Sequence, residues 1–261
     1  MTARFRDRRI VVTGGGSGMG RAEALGLAGE GADVLVADID LDAARAVADE
    51  ITAAGGTGRA HQLDVADPAA WEELAAGFDG KALHGLVNNA GVSFRKGIAE
   101  TSVDDWWRVM DINLSSVFFG MKFLSGPLKR AGGASVVNVS SIAGMVGYFS
   151  ASYGASKWGV RGLSKVASLE FAAEGIRVNS VHPGLVDTPL LHSGDDRFVD
   201  ESLRSVPAGR VASPEEVAGA VAFLLSDEAS YVNGTELVVD GGLVSSGIYH
   251  RITTALAEDA S

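Results

Sequence analysis

A β-branched run that breaks into glycines and then turns helical limits this chain more than any other stretch. Ile10-Val11-Val12-Thr13 reads as a buried strand. Gly14-Gly15-Gly16-Ser17-Gly18-Met19-Gly20 follows, and a helical apolar pattern then runs through Ala24, Leu25, Leu27 and Ala28. Strand, glycine turn and helix in that order set a pyrophosphate on a helix N-terminus. The spacing is G-x-x-x-G-x-G rather than G-x-G-x-x-G, so the turn by itself also fits a plain flexible loop. The next strand separates the two readings. Ala32–Ala37 ends at Asp38, twenty residues after Gly18. An acid at that strand tip hydrogen-bonds adenosine ribose hydroxyls and repels a 2′-phosphate. Neither Ile39-Asp40-Leu41-Asp42 nor Gly15-Gly16-Ser17 holds a Lys or Arg, so NAD is expected over NADP. Asp38 has one other job open to it, capping the helix over Leu41–Ala54, for which Asp40 is equally placed.

Strands and helices keep alternating beyond that point. A third strand spans Arg59–Leu63, after a Gly55–Gly58 loop, and ends at Asp64-Val65. There Asp64 either meets an adenine amino group or opens a turn with Asp67-Pro68. Pro68 starts a helix. Leu83–Val87 is a fourth strand, delivering Asn88-Asn89-Ala90-Gly91, whose amides can cover a cofactor or simply brace the sheet. A helix is expected from Val103 to Leu124, with Asn113 inside it. Asn competes for backbone hydrogen bonds there, so it either holds a kink and a water or is a tolerated polar residue. Ala134–Val139 is the fifth strand, ending at Ser140 and Ser141. Arg177–Val181 is the sixth, followed by His182-Pro183-Gly184 and on to Thr188-Pro189. Residues 190–206 read as a mobile lid, Pro214–Leu225 as a helix capped by Ser213, and Leu237–Asp240 as a last strand. The tail, residues 243–261, is partly apolar and suited to packing on a neighbouring subunit. The pattern predicts one domain over 1–261, an α/β doubly wound seven-stranded parallel sheet with helices on both faces.

Ser152-Tyr153-Gly154-Ala155-Ser156-Lys157 opens a helix that continues through Val160, Leu163 and Phe171. Side chains at i and i+4 share a helix face, so the spacing puts the Tyr153 phenol beside the Lys157 ammonium. A neighbouring positive charge favours phenolate and is expected to lower the Tyr153 pKa, fitting it to move a proton at an alcohol or carbonyl oxygen. The same residues also fit a plain surface Tyr and Lys. Ligands bind beyond the carboxyl ends of strands in such sheets, so Ser140, Ser141, Tyr153 and Lys157 are expected at one crevice.

Other partners are disfavoured by composition. The formal charge of −11 argues against nucleic acid and anionic membrane. Cys is absent, which removes disulfides and Cys-ligated metals, and no metal site is expected. With 46% hydrophobic residues but no apolar leader or membrane-length run, the chain reads as cytoplasmic.

Taken together, Thr13-Gly14-x-x-x-Gly18-x-Gly20, Asn88-Asn89-Ala90-Gly91, Asn113, Ser140-Ser141, Tyr153-x-x-x-Lys157 and Pro183-Gly184 with Thr188 resemble the short-chain dehydrogenase/reductase family over nearly the full length. The stretches Tyr153–Lys165 and Arg177–Gly184 look most like the bacterial 3α(or 20β)-hydroxysteroid dehydrogenases. The resemblance implies a Rossmann-type sheet and an NAD(H)-dependent oxidoreductase interconverting a secondary alcohol and a ketone, with a hydroxysteroid or other bulky apolar alcohol as the expected substrate. In the catalytic set, Tyr153 is implied as general acid/base and Lys157 as the residue that lowers its pKa and holds the nicotinamide ribose. A serine from the fifth strand would hold the substrate oxygen, and Asn113 a proton-relaying water. Spacing to Tyr153 favours Ser140, while the local motif Val139–Gly144 favours Ser141, which is preferred. The implied cofactor contacts begin with Gly14, Ser17, Gly18, Met19 and Gly20. They continue with Asp38, Ile39, Asp64 and Val65, then Asn89, Ala90 and Gly91, and finish with Pro183, Gly184, Val186 and Thr188 besides Tyr153 and Lys157. A homotetramer is implied too. The substrate wall is expected to include Met145, Val146, Tyr148 and Phe149. A 3-oxoacyl-carrier-protein reductase is the second reading, against which Asp38 and the acidic balance count. A non-catalytic dinucleotide sensor is the third, against which the intact Tyr, Lys and Ser count.

Overall fold

The computed structural model describes residues 3–258. Its strands are β1 (Arg9–Thr13), β2 (Asp33–Asp38), β3 (Thr57–Gln62), β4 (Gly85–Asn88), β5 (Ser135–Val139), β6 (Arg177–Pro183) and β7 (Glu236–Val239). They form one parallel sheet in the order β3-β2-β1-β4-β5-β6-β7. Parallel neighbours need helical crossovers, so helices cover both faces and the central strands are mostly apolar. Every residue of β4 and β5 is buried. Alternate side chains still part to opposite sides. Val12, Val36, Val137 and Val139 enter one core layer with Leu27, Val221 and Leu225. Val11, Leu86, Val136 and Val178 enter the other with Trp71, Val117, Leu124 and Val160.

The helices are α1 (Gly18–Gly29), α2 (Leu41–Ala53), α3 (Pro68–Ala76), α4 (Val103–Met110), α5 (Ser116–Phe123), α6 (Ser125–Arg130) and α7 (Ala151–Glu170). After β6 come α8 (Pro189–His192), α9 (Asp196–Leu203), α10 (Pro214–Leu225) and, last, α11 (Leu243–Glu258). α1, α2 and α10 supply the first layer, and α3, α5, α6 and α7 the second. Among the described residues no helix is long and apolar enough to cross a membrane.

Three local expectations shift. β3 starts at Thr57, inside the expected glycine loop, because the strand runs hard against α2. A Cβ on Gly58 would come within 3.0 Å of the Ala48 carbonyl oxygen and the Ile51 side chain, so this glycine serves packing. β4 begins at Gly85 rather than Leu83 and carries on through Asn88. The expected helix from Val103 to Leu124 is interrupted by a π-helical turn over Asp111–Ser115, centred on Asn113. Asp40, not Asp38, caps α2, accepting from the Asp42 and Ala43 amides at 3.0 and 3.1 Å. Residues 259–261 of the expected tail lie outside the described residues. The rest of it, from Leu243, is α11, which exposes Ile248, Tyr249 and Leu256.

Strand order reverses between β1 and β4, the strands on either side of which connections leave in opposite directions. A crevice opens there beyond the carboxyl ends of the sheet.

Candidate active site

That crevice holds a cavity of about 500 Å³. Gly14, Ser17, Gly18 and Met19 line it from the glycine turn, and Asp38 and Ile39 from the tip of β2. Asp64 and Val65 face it from beyond β3, as do Asn89, Ala90 and Gly91 from beyond β4, and Thr188 from the start of α8. The turn's geometry is glycine-specific where it matters. Gly18 has φ +52°, in the left-handed region, and a Cβ on Gly20 would overlap the Gly14 carbonyl. Thr13 Oγ1 fastens the two strand ends together, accepting from the Asn89 and Ala90 amides at 3.0 and 3.1 Å. The Asn89 amide nitrogen donates to Thr13 O at 3.0 Å. Asp38 Oδ2 accepts from the Gly16 amide at 2.9 Å, which holds the carboxylate over the glycine turn and within the cavity. Asp64 takes the turn role, accepting from Ala66 N at 2.9 Å, and lines the cavity as well. An extended groove with a glycine cradle at one end and an acid at a strand tip fits a nicotinamide dinucleotide.

A second cavity, of about 110 Å³, shares Met19, Thr188 and Leu190 with the first. Ser140, Ser141 and Tyr153 line it, with Pro183, Gly184 and Val186 from the β6 end. The two serines differ. Ser140 Oγ donates to the Lys157 carbonyl at 2.9 Å and so faces α7. Ser141 caps a 3₁₀ turn through Ala143 N at 3.1 Å and lines the cavity beside Tyr153. His182, buried at the end of β6, holds the Ser141 carbonyl through Nδ1 at 3.2 Å and meets Ser180 Oγ through Nε2 at 2.9 Å.

Lys157 is buried and donates from Nζ to the Val139 carbonyl at 2.9 Å, with the Tyr153 ring centroid 5.8 Å away. Burial lowers its pKa to about 8. The Tyr153 pKa is raised rather than lowered: burial of the phenol outweighs the opposing hydrogen bond from Ser141 and the Arg95 charge. The helical spacing sets both side chains on one face of α7, but the ammonium turns to a β5 carbonyl instead of to the phenol. Asn113 is fully buried in its π turn. Its Oδ1 accepts from Val92 N at 2.8 Å, and its Nδ2 donates to Val92 O at 2.9 Å and Ser156 Oγ at 3.2 Å. A Cβ on Gly91 would lie 3.3 Å from Asn113 Oδ1 and 3.6 Å from Lys157 Nζ, so both groups stand around that glycine.

Part of the expected substrate wall is displaced. Tyr148 lines the smaller cavity, but Phe149, tilted against it with ring centroids 4.4 Å apart, lies on a surface groove outside it. Val146 instead opens to a surface groove, and neither it nor Met145 reaches the cavity, because the 3₁₀ turn at Ile142–Gly144 carries the chain away. Side chains not singled out from the sequence take part: Arg108 and Ile112 in the larger cavity, Ser93 and Arg95 in the smaller. Leu190, Leu191 and Phe198, from the segment expected as a lid, complete the smaller one.

Residues 14–244 match a family profile described as enoyl-(acyl carrier protein) reductase. A cyclohexanol dehydrogenase of Acinetobacter sp. is 45% identical over 251 residues, covering 94% of this chain and 98% of that protein. The 3-alpha-(or 20-beta)-hydroxysteroid dehydrogenase of Mycobacterium tuberculosis is 41% identical over 256 residues, covering 96% and 94%. Among solved structures, a gluconate 5-dehydrogenase from Burkholderia cenocepacia in complex with NADP and tartrate superposes with TM-score 0.88 at 33% identity, over 93% of this chain and 97% of that one.

Proposed function

We propose an activity for this chain from one premise: it belongs to the short-chain dehydrogenase/reductase family. It is an oxidoreductase acting on CH–OH groups with a nicotinamide dinucleotide. Our reading is a NAD(H)-dependent enzyme that interconverts a small cyclic secondary alcohol and its ketone. The observation that carries it is the meeting of Ser141 and Tyr153 in a cavity that opens into the dinucleotide-shaped cleft. When bound, the cofactor supplies the hydride acceptor or donor. Gly14, Ser17, Gly18, Met19 and Gly20 would hold its phosphates, Asp38 and Ile39 its adenosine ribose, and Asp64 and Val65 its adenine. Asn89, Ala90, Gly91 and Lys157 would hold the nicotinamide ribose, and Pro183, Gly184, Val186 and Thr188 the carboxamide.

Each side chain then has a role set by its chemistry. Ser141 Oγ donates to the substrate oxygen and stabilises charge that develops there. Tyr153 takes the proton from an alcohol or gives it to a ketone oxygen. Lys157, a buried cation beside it, favours the phenolate when the proton has left. Asn113 fixes the backbone around Lys157 and positions a water through which the proton reaches solvent. In the alcohol-to-ketone direction the O–H proton passes to Tyr153 while the carbinol hydrogen leaves with its electron pair.

Size favours the smaller of the two alcohol classes among the relatives. An apolar cavity of ~150 Å³ holds one benzene ring. At about 110 Å³ the present cavity suits a single ring. A steroid would need residues 190–206 to swing out as a lid, which their placement over the cavity supports as a second reading. The test is NADH and NADPH formation over a panel of cyclic, steroid, aryl and acyl alcohols. No turnover of any secondary alcohol would sink the proposal. Run on Asp38→Ala, the assay should show the NADP-to-NAD ratio of kcat/KM rising about tenfold or more, since a carboxylate that repels the 2′-phosphate is gone. An unmoved ratio rejects the NAD assignment.

We also propose a homotetramer. Exposed Trp107 and Phe118 on α4 and α5, and Val166 and Leu169 on α7, are apolar surface suited to burial between copies. Sedimentation velocity reading a single 26.9 kDa chain would contradict it.

A further inference from the structure

We propose that His182 is the positioning residue for Ser141: its imidazole fixes the backbone that aims the serine hydroxyl at the substrate oxygen. The proposal rests on the reading of Ser141 as the oxygen-binding serine and names what holds that serine in place. Ser141 stands just past the end of the β5–β6 pairing. Ser140 N still donates to the Val181 carbonyl at 2.8 Å. Pro183, two residues further along β6, has no N–H with which to carry the pairing on. The His182 side chain takes over, Nδ1 donating to the Ser141 carbonyl at 3.2 Å. The companion bonds lie inside the serine's own 3₁₀ turn. Gly144 N donates to the Ser141 carbonyl at 2.9 Å, and Ala143 N to Ser141 Oγ at 3.1 Å. That hydroxyl accepts from the turn and keeps its own hydrogen for the substrate oxygen.

A turn bonded only to itself can pivot as a unit. Among the described residues, His182 is the one hydrogen-bond partner outside that turn that holds the Ser141 backbone. It is fully buried and does not line the cavity, so it acts on a substrate only through the serine. A carbonyl can only accept, so Nδ1 carries the hydrogen. Nε2 meets Ser180 Oγ at 2.9 Å, and the same hydroxyl lies 3.3 Å from the Thr235 carbonyl. Burial lowers the His182 pKa, which keeps the ring neutral and lets Ser180, itself buried, donate to Nε2. Both ring nitrogens are then engaged, one setting the tautomer and the other holding the serine. A site is only as precise as the residues that lock its working groups, and here the lock crosses from β6 to the end of β5.

The experiment replaces the ring by mimics of its two nitrogens. Asn sets its amide nitrogen where Nδ1 stands, Gln sets its own where Nε2 stands, and Leu supplies neither. NADH formation is followed on the alcohol of the panel that wild type oxidises fastest. His182→Gln and His182→Leu should lower kcat about 30-fold, with KM and NADH affinity within about threefold of wild type. His182→Asn should recover most of that loss. Added to Ser141→Ala, His182→Gln should cost almost nothing more, because the group it positions is already gone. Additive losses, or equal losses in the Asn and Gln variants, would overturn the proposal. So would a loss carried by NADH affinity, which would place the effect at Pro183 and Gly184, the next residues into the cavity. If His182→Leu does not fold, the comparison of Asn with Gln decides. Undiminished turnover in Ser141→Ala would remove the serine's catalytic role, and a readout without turnover then judges the positioning. Hydrogen exchange at the Ala143 and Gly144 amides, both bonded to Ser141, should quicken in His182→Gln and not in His182→Asn. Equal protection in the two variants would count against the role of His182.

Discussion

Replacing Tyr153 with Phe is expected to lower turnover about 10³-fold or more, while NADH binding stays within about threefold of wild type. The two halves of that result come from different parts of the structure. In the proposed mechanism, proton transfer at the substrate oxygen depends on one hydroxyl, which lines the smaller cavity with Ser141. On the same reading, dinucleotide binding depends mainly on the glycine turn, Asp38 and the β4 end, all of which line the larger cavity independently of the phenol. Phe keeps the ring that packs 5.8 Å from Tyr148, so the fold loses little. Turnover is read by NADH formation and binding by NADH fluorescence. Retained turnover in Tyr153→Phe would remove the mechanism, while loss of both readouts would mean the substitution had disturbed the cleft rather than the chemistry. The same assay separates the serines. Ser141→Ala should cost far more turnover than Ser140→Ala, because Ser140 spends its hydroxyl on the Lys157 carbonyl. The opposite ranking would reassign the oxygen-binding role.

How much of this could be read from residues alone depended on whether the relevant partner was near in sequence or carried a period. β1, the glycine turn and Asp38 were legible because a buried parallel strand is a run of apolar residues and its end is punctuated. The order of elements followed from unbroken βα alternation. Tyr153 and Lys157 were legible as a pair because four residues on a helix fix their separation. The direction of the phenol's pKa was not. Spacing gives the charge but neither the desolvation nor the Val139 carbonyl that takes the ammonium, eighteen residues upstream on another element. The π turn at Asn113 left only one trace, an amide in a helix interior. Arg95 left none, since it lies on an irregular segment where position says nothing about what a side chain faces. Met145, Val146 and Phe149 were misplaced for the same reason: the 3₁₀ turn before them redirects the chain, and no hydrophobic period records it.

Glu23 is expected to make the protein lose stability as pH rises past neutrality, and Glu23→Gln to abolish that loss. Glu23 sits on the buried side of α1 between Ala22 and Ala24, fully shielded from solvent, with neither carboxylate oxygen hydrogen-bonded. Burial raises its pKa from 4.5 to about 8. The folded state therefore keeps a proton that the unfolded state releases. Stability from this group is intact below about pH 4.5, declines as pH rises through that window, and is fully lost above about pH 8. A shift of that size corresponds to roughly 4–5 kcal/mol, or a melting temperature lower by on the order of 10 °C in a chain of this length. Lys157 works the other way in the alkaline range: its depressed pKa makes the folded state release a proton sooner, which favours folding as pH rises above about 8. Wild type alone would thus lose stability up to about pH 8 and regain part of it above. The difference between wild type and Glu23→Gln removes Lys157, which both proteins share, and should widen steadily from about pH 4.5 to about pH 8 and stay constant above that. Gln keeps a buried amide without partners, so it gains nothing at low pH. Glu23→Leu, which removes the polar group outright, should be more stable than Glu23→Gln at every pH if the site is as dry as its burial indicates. A difference curve that stays flat across neutrality would mean that the carboxylate ionises in contact with water, and that α1 is less tightly seated on α10 than its packing implies.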